Sequence, residues 1–219
     1  SLFADGRPLS IMFKKAAILG AKAGIGTKDV AVSADTAKAM DQLEAGLSMI
    51  GGYISSIDGA KKDMGGEVAA HLEKAASALD AYSKMMTDAT AVQKANEIAG
   101  SFQKVASAHR SFASTSGKIV EKLKAFKEAK SKDSKEKTHS LNGARKAISV
   151  TNAKMKGNED DAALKADKQA AQEECEKIEA EFVQFVTQFV EQATTAINAA
   201  SCDLKKAVES LDNTAYGSA

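Results

Sequence analysis

Apolar residues recur every three or four positions along most of the chain after residue 33, which is the spacing of amphipathic helices. The pattern predicts three long helices, at about 33–86, 93–156 and 160–212. Glycines interrupt the first of them. Because each costs about 1 kcal/mol relative to alanine inside a helix, we expect a bend or a break near Gly65.

Turn chemistry predicts where these helices end. The segment TDATAVQ, residues 87–93, is the first expected turn. The stretch KGNEDD, residues 156–161, is the second, with Gly157 as the C-cap and Asn158 or Asp160 as the next N-cap.

The stretch KEAKSKDSKEKTHS, residues 127–140, is the one long gap in the apolar pattern. It contains neither Pro nor Gly, and the apolar positions on either side, Phe126 and Leu141, stay in helical phase across it. We therefore predict that it is the solvated middle of one continuous helix.

Composition agrees with an all-α fold: the chain is 44% apolar and 27% charged, with one proline and no tryptophan. No apolar run approaches the roughly 20 residues of a membrane span, and the N-terminus lacks a signal-peptide pattern. These features predict a cytoplasmic protein that meets a membrane at most peripherally. Cys175 and Cys202 would lie about 40 Å apart along one helix, so we expect both to be reduced core thiols.

Charge is strongly segregated although the net charge is only +1, which argues against a nucleic-acid partner. Residues 118–156 contain twelve basic and four acidic residues, whereas residues 159–181 contain three basic and nine acidic residues. A one-sided electrostatic field is therefore possible.

The predicted lengths constrain the assembly, because helices at 93–156 and 160–212 would extend about 95 Å and nearly 80 Å. Such helices suit an antiparallel three-helix coiled coil whose central part is buried by a symmetric homodimer of six helices. The dimer core is predicted from the aromatic positions of the second and third helices: Phe102, Phe112, Phe182, Phe185 and Phe189.

Two segments carry a resemblance to a known family: FASTSGKIVEKLKAFKEAKSKDSKEKTHSLNGARKAISVTNAKMK and AQEECEKIEAEFVQFVTQFVEQATTAINAA. Over residues 33–215 the order of helices and the charge placement resemble the BAR domain, a crescent-shaped dimer that binds curved membranes. Residues 1–32 form a basic segment before this domain, and residues 216–219 a tail.

The resemblance implies that basic residues at the arm tips and on the concave face contact anionic lipid head groups. Lys154 and Lys156 match the tip. The positions that match the basic middle of the second helix are Lys130, Lys132, Lys135, Lys137, Arg145 and Lys146. The alternative is that these lysines only solvate an exposed helix face and pair with neighbouring carboxylates.

The segment IMFKKAAILGAKA, residues 11–23, resembles in position the membrane-inserting segment that precedes some BAR domains, with Phe13, Lys14, Lys15 and Leu19 as the contacts. Packing along the first helix is the equal alternative.

Catalysis is not expected. GAKAGIGTK has Thr27 and Lys28 in the wrong order for a phosphate loop, and neither a nucleophile elbow nor a zinc motif is present. His109 lies on the apolar stripe as a core or interface histidine, His139 is expected to be exposed, and no cofactor is predicted. The rival functions are a coiled-coil scaffold for a protein partner, such as a small GTPase or another trafficking protein, and a helical rod without lipid affinity.

Overall fold

The computed structural model describes residues 30–217, and every regular element in that range is helical. Helix α1 spans Ala34–Ala60, a π-helical segment spans Lys61–Glu67, and α2 spans Val68–Ser83. Helix α3 spans Ala89–Met155 and α4 spans Ala162–Ala215. The residues predicted to enter a membrane, Phe13, Lys14, Lys15 and Leu19, lie outside the described residues.

Near Gly65, where a bend or a break was predicted, the helix does not break: it continues as the π-helical segment. At its end the N–H of Val68 donates to the carbonyl of Asp63, five residues earlier, instead of four. Gly65 is buried against α3, where a Cβ atom would lie 2.4 Å from the Cβ and 2.9 Å from the Cα of Ala113. The missing side chain therefore allows two backbones to approach closely.

The polar stretch at 127–140 is helical throughout, as predicted, and α3 runs through it without interruption. Helix α3 begins earlier than expected, because the carboxylate of Asp88 accepts the N–H of Thr90 at 3.0 Å and the first turn is short. It ends with Gly157 in the left-handed region, at a φ of 86°, as the C-cap interpretation requires.

The N-cap of α4 is Asp161, so the assignment to Asn158 or Asp160 was wrong. The Oδ1 atom of Asp161 accepts the N–H groups of Ala163 at 2.8 Å and Leu164 at 3.2 Å. Asp161 stands within three positions of both predicted residues, and only the backbone path of the turn selects among the three.

By packing, the chain divides into two units. Unit 1 comprises residues up to Asp41 together with Asp133–Thr187, and unit 2 comprises Gln42–Lys132 together with the chain from Gln188.

In unit 1, α3 and α4 pack through Ala144, Ile148 and Cys175, with Val30 against them. Ser33 caps α1: its hydroxyl accepts the N–H of Thr36 at 3.3 Å. The carboxylate of Glu179 on α4 receives the hydroxyl of Thr36 at 3.2 Å and the N–H of Ser33. The start of α1 is thus fixed to α4 by charge-assisted hydrogen bonds.

In unit 2, α1, α2, α3 and α4 share a core in which nine of the nineteen buried apolar residues are alanine, so the helices lie close together. Gly46 makes room for Phe189, since a Cβ atom there would lie 2.6 Å from the ring. His109 is buried as predicted, with Nδ1–H donating to the carbonyl of Met64 and Nε2 lying 3.4 Å from the hydroxyl of Tyr216.

The aromatic residues predicted to form a dimer core occupy two different environments. Phe112, Phe182 and Phe189 are buried by the chain's own helices, whereas Phe102 and Phe185 are half-buried. The three buried rings therefore need no partner chain to leave water.

The two cysteines also differ. Cys175 is a free thiol in the core of unit 1, where burial, with the nearby Glu179 carboxylate, raises its pKa. Cys202 is exposed, so its prediction as a core thiol was wrong. It lies off the apolar row of α4, between Ser201 and Asp203.

Candidate functional site

Three of the basic residues of α3 in unit 1 form a row on the exposed side of the helix. Lys135, His139 and Lys146 are separated by four and seven positions, so they lie along one face of the helix. All three are exposed, and at 100° per residue they point away from Ala144 and Ile148 in the core. We call Lys135, His139 and Lys146 the unit 1 row.

Two predicted lipid contacts in unit 1 are engaged within the chain. The Nζ atom of Lys137 lies 3.6 Å from a carboxylate oxygen of Glu181 on α4. The guanidinium of Arg145 donates from Nε, at 3.1 Å, and from Nη2 to the carbonyl of Val30. Both side chains hold unit 1 together and are less available to a ligand than the unit 1 row.

Lys154 and Lys156 stand at the turn between α3 and α4, and both are exposed. Their surroundings are mixed in sign, because Glu159, Asp160 and Asp161 follow directly in the sequence. These three carboxylates therefore partly offset the positive charge of Lys154 and Lys156.

In unit 2, sequence reasoning assigned Lys130 and Lys132 and missed Lys118 and Lys122. Lys118, Lys122 and Lys132 are exposed, whereas Lys130 is half-buried. The three exposed lysines lie on one line with Ala125 and Ala129, at intervals of four, three, four and three residues. We call Lys118, Lys122 and Lys132 the unit 2 row; the sequence signal for it is the helical spacing, and Glu121 and Glu128 lie between these lysines in the sequence.

Other basic residues of α3 in unit 2 serve packing. The Nζ atom of Lys124 lies 3.0 Å from Asp58, and Arg110 donates two hydrogen bonds to Glu73, at 3.0 and 2.8 Å. These bonds to the basic side chains lower the pKa of both carboxyl groups, although both groups are exposed. The side chain of Lys127 extends across Gly51, and a Cβ atom built at Gly51 would lie 2.6 Å from the Nζ atom of Lys127. The structure thus separates lysines used for packing from lysines that face solvent.

Helix α4 has the opposite charge in unit 1. Residues 133–156 contain six basic and two acidic residues, whereas residues 159–187 contain three basic and nine acidic residues. An anionic surface would be attracted by the α3 side and repelled by the α4 side, so unit 1 has a defined electrostatic orientation.

Residues 30–217 hold no group of three His, Cys, Asp or Glu side chains arranged for a metal ion. Within this range, too, no helix combines the length and the apolarity that crossing a bilayer requires. No protein-family model, curated protein or solved structure matches the chain.

Proposed function

We propose that this chain is a membrane-binding module that senses or induces curvature. In this proposal, a curved BAR-like homodimer presents basic residues of α3 to anionic lipid head groups. The observation that carries the proposal is the set of exposed basic side chains on one uninterrupted helix. Within residues 118–155, those without a hydrogen bond or ion pair to the described residues are Lys118, Lys122, Lys132, Lys135, Lys146 and Lys154, and Lys156 follows directly after the helix.

The mechanism is electrostatic. Each basic residue near an anionic bilayer contributes about 1 kcal/mol, so several acting together give useful affinity although each alone is weak. The helix holds its lysines at fixed intervals. A membrane whose curvature brings more of them within a Debye length, about 8 Å at physiological salt, is bound more tightly.

The homodimer is part of the proposal, and the burial pattern limits where its interface lies. Phe112, Phe182 and Phe189 are already enclosed. In unit 2, an interface would use the half-buried Phe102 and exposed aliphatic side chains such as Val190, which is 40% exposed. In unit 1, it would use the half-buried Phe185.

The test is co-sedimentation with vesicles of phosphatidylcholine alone or with phosphatidylserine. In one variant Lys135 and Lys146 are changed to Glu. In a second variant Lys154 and Lys156 are changed to Glu. The control carries Lys74→Glu and Lys94→Glu, two exposed positions outside both rows, and has the same net charge.

We expect the unit 1 row variant to lose about thirtyfold or more in binding to anionic vesicles, since each reversal costs at least the roughly 1 kcal/mol of one contact. The variant at the turn should lose less affinity for anionic vesicles, and the control should lose little. Equal losses in all three, or equal binding to neutral and anionic vesicles, would contradict the proposal. Sedimentation of the chain as a monomer would contradict the dimer, and equal affinity for small and large vesicles would contradict curvature sensing.

The alternative function, a scaffold for a protein partner, draws support from apolar side chains on neighbouring helices of unit 2. Met49 on α1 is 56% exposed, and Val190 on α4 is 40% exposed. Failure to bind anionic vesicles, with the helical fold intact, would favour this function.

A further inference from the structure

In unit 2, α2 and the first part of α3 extend beyond the end of α4. Helix α4 ends at Ala215, which packs against Ala108 of α3. The hydroxyl of Tyr216, the next residue, lies 3.4 Å from Nε2 of His109. Residues 89–105 of α3, about 25 Å of helix, therefore precede the part that α4 covers. We call residues 68–105, which comprise α2, the turn and this part of α3, the α2–α3 hairpin.

One apolar row of α3 passes from covered to uncovered where α4 ends. Ile98, Val105, Phe112 and Ile119 are seven residues apart, so they lie along one side of the helix. Phe112, which packs against α4, is 3% exposed, and Ile119 is 4% exposed. Val105 is only half-buried, and Ile98 is 47% exposed. The row thus continues past the helix that buries it.

Helix α2 carries a second apolar row on the same flank of the hairpin. Leu72 and Leu79, also seven residues apart, are both half-buried. The ion pair of Glu73 with Arg110 marks one flank, with 2.8 Å between its closest atoms. From this pair, Leu72, Leu79 and Ile98 lie about 100–120° around their helices in the same sense, which in antiparallel helices is the other flank. Two apolar rows therefore lie side by side on one face of the hairpin.

The repeat and the area of this face fit a second helical hairpin. Apolar residues at seven-residue intervals are the contacts of coiled coils, and their complement is another helix with the same repeat. Two helices placed over about 25 Å of length and about 20 Å of width would bury about 500 Å² per chain, or about 1,000 Å² in total. That area is about the lower limit of a specific interface, and a single helix would bury half of it.

The charge of the hairpin favours an identical partner. Residues 68–104 contain four lysines and four acidic residues, so their formal net charge is zero. Residues 105–132 contain seven basic and two acidic residues, and two copies that met there would repel each other. Two neutral hairpins whose helices carry the same seven-residue repeat can instead pair about a two-fold axis.

We propose that the α2–α3 hairpin binds the same hairpin of a second copy of this chain. The two hairpins form a contact of four helices. In each copy this contact covers five apolar side chains: Leu72, Leu79, Tyr82, Ile98 and Val105. The inference rests on the homodimer of the proposed function and gives that homodimer a location, but it uses neither row of exposed lysines.

The test is sedimentation equilibrium of the full chain without lipid, at about 1–100 μM, a range that suits an interface of the smaller class. Ile98→Glu places a charge in the contact on α3, and Tyr82→Glu, at a residue that is 55% exposed, does so on α2. Each substitution enters a two-fold contact twice, once from each copy. We therefore expect each to raise the dissociation constant of the dimer about a hundredfold.

Two control variants make the same change at positions of matched exposure outside the hairpin. Val150, also on α3, is 46% exposed and matches Ile98, and Met49 on α1 is 56% exposed and matches Tyr82. Val150→Glu and Met49→Glu should dimerise as the unaltered chain does. Because all four side chains reach solvent in the single chain, circular dichroism should show the same helix content for every variant.

Three results would overturn the inference. One is a dimer that survives both hairpin variants; if that dimer is lost in Val190→Glu, the homodimer of the proposed function stands at another surface. Another is a dimer that the two controls weaken as much as the hairpin variants do. The third is a chain that stays monomeric throughout, which contradicts the homodimer as well.

The urea midpoint of a monomeric chain would identify the other occupants of this face. A midpoint lowered by Ile98→Glu would show that residues 1–29 of the same chain cover the face, and an unchanged midpoint would leave the face to a different protein. Vesicle binding is a separate readout. If the chain dimerises through the hairpin and anionic vesicles are not bound, this inference stands and the proposed membrane function fails.

Discussion

Replacing Gly65 by alanine is the sharpest test of how α3 packs against the π-helical segment. The new Cβ atom would lie 2.4 Å from the Cβ and 2.9 Å from the Cα of Ala113, so the obstacle includes the backbone of a second helix. Overpacking of this kind costs about 1–3 kcal/mol, and a backbone obstacle places Gly65→Ala near the upper end. Alanine regains about 1 kcal/mol of helix propensity, which leaves a net destabilisation of about 2 kcal/mol.

Gly66 provides the matched control, because nothing lies within 4 Å of a Cβ atom built there. Gly66→Ala gains the same propensity without the clash and should stabilise the chain by about 0.5–1 kcal/mol. Urea unfolding followed by far-ultraviolet circular dichroism would measure both. The two variants, one residue apart, should differ by about 3 kcal/mol, the sum of these two effects.

Equal midpoints for the two variants would refute the close approach of Gly65 to α3. A double variant, Gly65→Ala with Ala113→Gly, removes the shorter of the two contacts. It should recover part of the loss, because residues in contact show coupling energies of about 0.5–3 kcal/mol.

Three further outcomes follow from particular side chains. Ser116 has a buried hydroxyl without a hydrogen-bond partner among residues 30–217, so Ser116→Ala should leave the urea midpoint unchanged or raise it, and a clear loss would show a missed partner. Asp161→Ala should cost about 1 kcal/mol as the loss of an N-cap, whereas Asp160→Ala should cost little, and the reverse order would contradict the cap assignment. Glu73 has a pKa lowered by Arg110, so its stabilising effect is present above its ordinary value of 4.5 and is lost as the pH falls through the lower folded value. Urea midpoints at neutral and strongly acidic pH should differ less in Glu73→Gln than in the unaltered chain, and an equal difference would contradict this contribution.

Local chemistry explains what the sequence could predict. Helical spacing and the absence of Pro and Gly were enough to predict that α3 continues through residues 127–140. Gly157 was identified as a C-cap because few residues other than glycine adopt a positive φ. These features depend on neighbours within a few positions in the chain.

Contacts between distant parts of the chain explain what the sequence could not predict. Nothing near Lys137 in the sequence shows that Lys137 pairs with Glu181. Likewise, nothing near Arg145 shows that its guanidinium donates hydrogen bonds to the carbonyl of Val30. The sequence therefore could not separate basic residues that bond within the chain, such as Lys137 and Arg145, from basic residues that face solvent. The two cysteines are a different case, because the helical pattern itself places Cys175 on the apolar row of α4 and Cys202 off it.

The alanine-rich core of unit 2 has a consequence for how its helices choose their alignment. When many side chains at an interface are equally small, sliding one helix along another by a turn exchanges one alanine for the next and changes the apolar area very little. The ten larger buried side chains resist the shift, and so do two close approaches at glycines, where the ring of Phe189 packs against Gly46 and Ala113 packs against Gly65. Replacing both glycines by larger residues would remove two of the features that favour the native alignment over its neighbours.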